Sequence, residues 1–280
     1  MRPSGPSRPP ATHVLPKEHG TWAMLLVPWA IGCGVAGRVE AWEILLLASA
    51  VSLFLAHTHF MTWVRLRLGA RSDTAAAAAA RRLVLVFAAV GVALSVPLLT
   101  RRLVGLLLFG AVAGVLTAVS LWLVAKRLDH ALPGQVLAAV GLSLASPAAD
   151  YVARGVLGRR ALALWLLNAA FFVWAVLYVR LKIEARARRA PLTSAAEKLA
   201  FARGMLAMDA ALLLGALLAL RLGSVSALAL WAFVPAAAQV VVGTARLDRP
   251  APLKRVGILV TAHSILWALL VIWLAGRWSA

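Results

Sequence analysis

Residues 103–125 read LVGLLLFGAVAGVLTAVSLWLVA, a stretch without a charged side chain. A helix of about 20 apolar residues spans the roughly 30 Å hydrocarbon core of a bilayer, and this stretch is long enough. Apolar stretches of this kind occur at residues 20–37, 42–62, 83–99, 103–125, 134–152, 161–179, 201–220, 225–243 and 256–275. Because backbone amides in lipid must be satisfied within the segment, we expect helices and not open strands. The sequence therefore predicts an all-α, polytopic membrane protein with about nine transmembrane helices.

The net charge of +19 is explained by membrane topology and not by a nucleic acid partner. Only 14% of the residues are charged, and 62% are apolar. Lys and Arg accumulate in loops that stay in the cytoplasm. Most of the 29 Lys and Arg residues fall in alternate loops, counted from an inside N-terminus. We therefore predict a cytoplasmic N-terminus, a C-terminus outside, the lipid bilayer as the main partner, and no nucleic acid.

The domain organisation follows from the apolar stretches. Residues 1–15 are rich in Pro, Arg and Ser and are predicted to form a disordered cytoplasmic tail. Residues 16–280 are predicted to form a single transmembrane domain. The first apolar stretch has no clear cleavage motif after it, so we interpret it as a retained helix. Cys33 is the only cysteine, which excludes an intramolecular disulfide and a cysteine metal site.

The same six-residue pattern closes two of the apolar stretches. Residues 63–68 read WVRLRL, and residues 178–183 read YVRLKI. One interpretation is a duplication, with residues 16–130 repeated in the same orientation as residues 131–245, and an extra helix at 256–275. The alternative is coincidence in a chain rich in Arg, Leu and Val, where the cations act only as topology signals.

Several polar side chains fall within the apolar stretches, where such groups are costly and are functional candidates. They are His57, His59, Asn168, Asp209, Gln239 and His263. At 1.5 Å per residue, all lie within about 20 Å of the predicted cytoplasmic side, which indicates a polar cavity open to the cytoplasm. Alternatively, the histidines are neutral core imidazoles and the amides join helices. An unpaired Asp209 would be protonated or would need a cation, such as His263 or Arg203.

A dense group of polar residues, Lys17-Glu18-His19-Gly20-Thr21-Trp22, precedes the first apolar stretch. It places a cation, an anion and a titratable imidazole at one membrane interface. Glu18 and His19 are therefore the candidate catalytic acid–base residues, and Lys17, His19 and Trp22 are candidate ligand contacts. The alternative is an ordinary interfacial cap with Trp22 in the aromatic belt.

Residues 16–28, PKEHGTWAMLLVP, resemble the opening Pro-Lys-Glu-His-Gly-x-Trp motif of the YwiC-like family of bacterial membrane proteins. This resemblance implies a multi-pass protein of the bacterial cytoplasmic (inner) membrane. It implies no particular activity.

A more distant similarity is to UbiA-type intramembrane prenyltransferases, which also have nine helices and an inside N-terminus. Their Asp-rich motifs hold magnesium and a prenyl diphosphate at the cytoplasmic ends of helices 2 and 6. The similarity implies a UbiA-like bundle, but the corresponding residues 57–65 and 178–184 contain no Asp. Magnesium needs oxygen ligands, and Glu184 alone is a poor replacement. We therefore expect no magnesium and no other cofactor.

Three functions remain open, and so does the question of whether the protein is an enzyme. The first is binding of an anionic-headed amphiphile, such as a prenyl phosphate-like isoprenoid lipid, at a cytoplasmic basic mouth, with UbiA-like transferase chemistry as an extension. Its candidate ligand-binding residues are Lys17, His19, Trp22, His57, His59, Arg65, Arg67, Asn168, Tyr178, Arg180 and Lys182. The second is secondary transport of a small solute or anion, with Asp209 and His263 as proton carriers. The third is docking of a partner or of anionic lipid by the basic loops.

Overall fold

The computed structural model describes residues 19–69, 73–101, 103–188, 190–221, 232–249 and 252–275. Every regular element within these ranges is a helix, which confirms the all-α prediction. The helices are α1 (His19–Ala36), α2 (Ala41–Leu68), α3 (Thr74–Thr100), α4 (Leu106–Ala125), α5 (Leu132–Leu142), α6 (Ala145–Arg154), α7 (Arg159–Ala187), α8 (Ala195–Arg221), α9 (Val234–Ala245) and α10 (Leu253–Ala275). The predicted tail at residues 1–15 lies outside the described residues.

Six helical stretches among the described residues are long and apolar enough to cross a membrane. They are Ala41–Leu68, Thr74–Thr100, Leu106–Ala125, Leu132–Arg154, Arg159–Ala187 and Leu253–Leu274. Two shorter apolar helices, Gly20–Ala36 and Val234–Ala245, accompany them. These lengths confirm a multi-pass membrane protein in a lipid bilayer. The number of nine crossings and the parallel repeat of four helices stay predictions.

The helix α7 is central to the packing. It contacts α1, α5, α6, α8 and α10, whereas α2 pairs mainly with α3. Its buried face carries Phe171, Phe172 and Trp174, which are at most 2% exposed. The ring of Phe171 stacks on that of Trp267 in α10, with their centroids 4.7 Å apart. The apolar core is therefore built mainly around the second half of the chain.

The predicted span at residues 134–152 is divided into two helices, α5 and α6. The Leu144 N–H donates to the Gly141 carbonyl instead of the Val140 carbonyl, which an unbroken α-helix would use. The Val140 carbonyl accepts a hydrogen bond from Trp165 Nε1 at 3.0 Å instead. The break therefore leaves this backbone group satisfied, as lipid-embedded helices require.

Consecutive long helices alternate in direction, so the bundle has two ends. At one end, which we call the basic end, α2 and α7 carry Arg65 and Lys182 near their C-terminal ends, and α8 begins near Lys198. At the other, which we call the Asp150 end, α6 ends and α7 begins, with Arg160 in its first turn. The two ends contain different polar sites.

Candidate functional site

The first site lies at the basic end, where α7 meets α9. Lys182 is half-buried, and its Nζ donates to the Gly243 carbonyl at 2.5 Å. The ammonium also lies 5.5 Å from the centroid of the Tyr178 ring, one turn earlier on α7, a separation typical of cation–π contacts. Gly243 permits this approach, because a Cβ at that position would lie only 2.7 Å from the Tyr178 hydroxyl.

Several buried polar atoms beside Lys182 are incompletely satisfied. The Tyr178 hydroxyl lies near the Gln239 amide, and neither polar atom of that amide has a hydrogen-bond partner among the described residues. The buried Thr244 hydroxyl also has no hydrogen-bond partner among the described residues. Buried polar groups are nearly always hydrogen-bonded, because leaving one unpaired costs about 1–3 kcal/mol. This cluster can therefore receive further hydrogen bonds.

A second lysine binds the loop that follows α9, next to this cluster. Lys198 Nζ donates to the Ala245 carbonyl at the end of α9 and to Asp248 Oδ1, at 2.8 and 2.9 Å. This hydrogen bond lowers the pKa of Asp248, which lies in the loop, from its ordinary value. A cation at a helix C-terminus also interacts favourably with the free carbonyl groups there. Lys198 thereby fixes the end of α9 that carries the polar cluster.

The other cations of the two six-residue patterns have local partners. Arg65 Nε lies 2.8 Å from Asp129 Oδ2, in the loop between α4 and α5. Arg180 Nε lies 2.6 Å from Glu184 Oε1 on the same helix. Arg67 lies 5.9 Å from the centroid of the Trp63 ring. Of these four cations, Lys182 is the one in contact with the polar cluster of α9.

The remaining predicted residues have separate environments. Asn168 is fully buried; its Nδ2 donates to Leu164 and its Oδ1 accepts from Trp267 Nε1. His59 is buried and stacks on Phe87 of α3, at 5.8 Å between centroids, and His57 is half-buried on α2. Trp22 contacts Phe54 edge to face. Lys17, Glu18 and the side chain of His19 lie outside the described residues.

Asp209 has a different partner from the two that the sequence indicated. Its Oδ1 accepts a hydrogen bond from Trp174 Nε1 at 3.0 Å, and no ion pair with Arg203 or His263 occurs in the described structure. His263 Nδ1 instead lies 3.0 Å from the Leu259 carbonyl of its own helix. Depth along a helix could be estimated from the sequence, but Trp174 was not recognised as a donor.

At the Asp150 end, the structure contains a buried ion pair that the sequence did not indicate. Asp150 is 1% exposed, and its Oδ1 lies 3.2 Å from Arg160 Nη2. Arg160 also donates to the carbonyl of Val35 at the end of α1. The pair therefore connects α1, α6 and α7. The sequence did contain one signal for this pair, which is a Gly-containing turn between an Asp and an Arg at neighbouring helix ends.

These contacts define a polar stripe on α7, made of Arg160, Asn168, Trp174, Tyr178 and Lys182. At 100° and 1.5 Å per residue, the five positions fall within a sector of about 120° and extend over about 33 Å. Each contacts a polar group of another helix: Asp150, Trp267, Asp209, Gln239 and the Gly243 carbonyl, respectively. The stripe therefore joins the two ends through the interior of the bundle.

Fold and site together define a polytopic α-helical membrane protein with polar groups along its central helix. A model of the family described as YwiC-like protein matches residues 15–150, so the N-terminal half of the chain is similar to the YwiC-like family. This match confirms the resemblance seen in residues 16–28. No curated protein and no solved structure matches the chain. The similarity to UbiA-type prenyltransferases is not shown by these comparisons.

Proposed function

We propose that this YwiC-like membrane protein binds an amphiphile with an anionic head group, of the prenyl phosphate type, at its basic end. The observation that carries the proposal is the environment of Lys182. This half-buried ammonium contacts a carbonyl and an aromatic ring, and no carboxylate pairs with it among the described residues. A cation in such a place favours an anion as its further partner.

The neighbouring groups suit a phosphate head. Lysine binds phosphate as a compact point charge, and hydroxyl and amide groups donate further hydrogen bonds to its oxygens. The Thr244 hydroxyl and the Gln239 amide are available for this role. Arg65 and Arg180 are more exposed and already paired, so we assign them to longer-range attraction of acidic lipids. Among the four cations of the two six-residue patterns, we therefore assign the central role to Lys182.

The test is native mass spectrometry of the protein purified in detergent. Lys182→Met keeps the apolar stem and removes the charge, and Arg180→Met, two residues away on the same helix, is the matched control. We expect a phosphate-bearing lipid to copurify with the wild type and with Arg180→Met, and to be lost from Lys182→Met. Equal lipid content in all three proteins would contradict the proposal.

Secondary transport of a small solute or anion is the second candidate, and the polar stripe on α7 favours it. Polar groups at both ends and in the middle of one helix are what a transport path needs. Uptake of labelled phosphate, sulfate and acetate into proteoliposomes would test this function. Transport predicts uptake that falls in Asn168→Leu, which removes the amide from the middle of the stripe. A protein that only binds an amphiphile would show no uptake.

We further infer that the basic end faces the cytoplasm of a bacterium, since Lys and Arg accumulate on that side. Transferase chemistry at Glu18 or His19 stays a hypothesis. It would be tested by turnover of a prenyl diphosphate in Glu18→Gln and His19→Gln. Loss of a wild-type turnover in either variant would support it, and a wild type without turnover would contradict it.

A further inference from the structure

A small cavity lies between α8 and α9, with one acidic side chain in its wall. Its volume is about 40 Å³, which is room for two or three water molecules. Asp209 contributes the carboxyl group, and the rest of the wall is apolar, formed by Leu212, Leu213, Phe233, Val234, Ala236 and Ala237. The site is distinct from the Lys182 cluster, since it lies at the middle of α8.

The charge of Asp209 has no cation to balance it among the described residues. Its direct partner is the neutral N–H of Trp174. The helices packed against α8 are α7 and α9. On the stripe face of α7, the nearest titratable groups are Tyr178 and Lys182, at one and two turns from Trp174, and Lys182 is bonded to Gly243.

The other neighbours add no cation either. The helix α9 contains no titratable side chain, and residues 222–231, which join α8 to α9, contain no charged residue in the sequence. On α8 itself, Arg203 is exposed and lies about 9 Å away along the helix axis. A carboxylate in an apolar wall without a cation is costly, and it reduces that cost by taking up a proton.

We infer that Asp209 is a proton-binding site, which takes up a proton from water in the cavity and returns it there. The carboxylate Oδ2 gains the proton in the neutral form, while Oδ1 keeps the hydrogen bond from Trp174. Because Trp174 donates to the charged form, it limits the proton affinity and makes release possible. This site does not depend on the proposed lipid, because Lys182 and its cluster take no part in it.

The test uses dicyclohexylcarbodiimide, an apolar reagent that adds to protonated carboxyl groups within membranes. We expect modification of the Asp209 peptide in the wild type, a decline as the pH is raised, and none in Asp209→Asn. Asp150 is the internal comparison, since it lies 3.2 Å from Arg160 and so has the cation partner that Asp209 lacks. In Trp174→Phe, the proton affinity should rise about two- to tenfold, because one hydrogen bond to the charged form is lost.

Infrared spectroscopy gives an independent measurement that does not require access by the reagent. A protonated carboxyl stretch should be present in the wild type, disappear as the pH is raised, and be missing from Asp209→Asn. The wild-type titration is informative even if a variant fails to fold. If Asp209 is unmodified at every pH and the carboxyl stretch is absent from the wild type, the inference is overturned. That result would not affect the proposed binding of lipid at Lys182, which is tested separately by copurification.

Discussion

Replacing Arg160 by Gln is expected to destabilise the junction of α1, α6 and α7 by about 3–5 kcal/mol. Arg160 is the cation 3.2 Å from the buried Asp150 and also bonds the Val35 carbonyl. Its loss would leave a carboxylate that is 1% exposed without its counter-charge. Removing one partner of a buried ion pair costs more than the pair itself contributes, because the remaining charge cannot be hydrated.

The single cysteine makes this prediction measurable without engineered labels. Cys33 lies on α1, two residues before Val35, and is 1% exposed. A thiol reagent can reach it only when the junction opens, so the labelling rate in detergent reports the opening equilibrium. Since each 1.4 kcal/mol is a factor of ten, the rate in Arg160→Gln should rise by about a hundredfold to a few thousandfold.

Two further variants make the measurement decisive. Arg38 and Glu40 form an ion pair at 3.5 Å in which both side chains are about half exposed. Exposed pairs contribute about 0–1 kcal/mol, so Arg38→Gln should change the rate by less than about fivefold. Combining Arg160→Gln with Asp150→Asn removes the orphaned charge and should recover much of the loss. If Arg160→Gln and Arg38→Gln were labelled equally fast, the reasoning about the buried pair would be refuted.

Two other predictions concern packing and pH. Gly32→Ala should destabilise the protein by about 1–3 kcal/mol, because a Cβ there would lie 2.2 Å from the Ser146 carbonyl oxygen. Gly257→Ala adds a Cβ that meets no atom within 4 Å and should stabilise the protein by about 0.5–1 kcal/mol. Equal thermal unfolding midpoints for the two variants would contradict the close approach at Gly32. The pKa of Asp248 is lowered by Lys198, so their pairing stabilises the loop above about pH 4 and is lost as the pH falls through the lowered pKa. Amide exchange in the loop, corrected for intrinsic rates, should accelerate on acidification in the wild type but not in Lys198→Met.

Much of the fold could be predicted, because the length and composition of each apolar stretch can be read along the chain without knowing how the helices pack. Two of the stretches that contain a proline, residues 83–99 and 134–152, differ for a physical reason. Pro97 lies near the end of α3, so the hydrogen bond that it cannot donate to the Ala93 carbonyl affects only the last turn, and the helix continues to Thr100. Pro147 lies inside its stretch and cannot donate to the carbonyl of Ser143, four residues earlier, which is where α5 and α6 separate.

Less of the candidate site could be predicted, because rotation about a helix axis is not determined by one sequence. Asp209 was recognised from its depth, but its contact with Trp174 depends on the relative rotation of α7 and α8. The charge of Arg65 was likewise recognised, but its pairing with Asp129 depends on how the loop after α4 folds back. Contacts between segments distant in sequence require the packed structure.

The two halves of the chain meet at the Arg160 junction. The family match ends at residue 150, and the described polar contacts of Lys182 and Asp209 involve α7, α8 and α9, which lie beyond it. The matched half therefore contributes to the polar stripe through Asp150 and Val35, both bonded to Arg160. Because α7 is one continuous helix from Arg159 to Ala187, a change of its position at the Asp150 end displaces Tyr178 and Lys182 as well. Substitutions at Arg160 should for this reason alter ligand binding at the basic end, about 33 Å away along the helix.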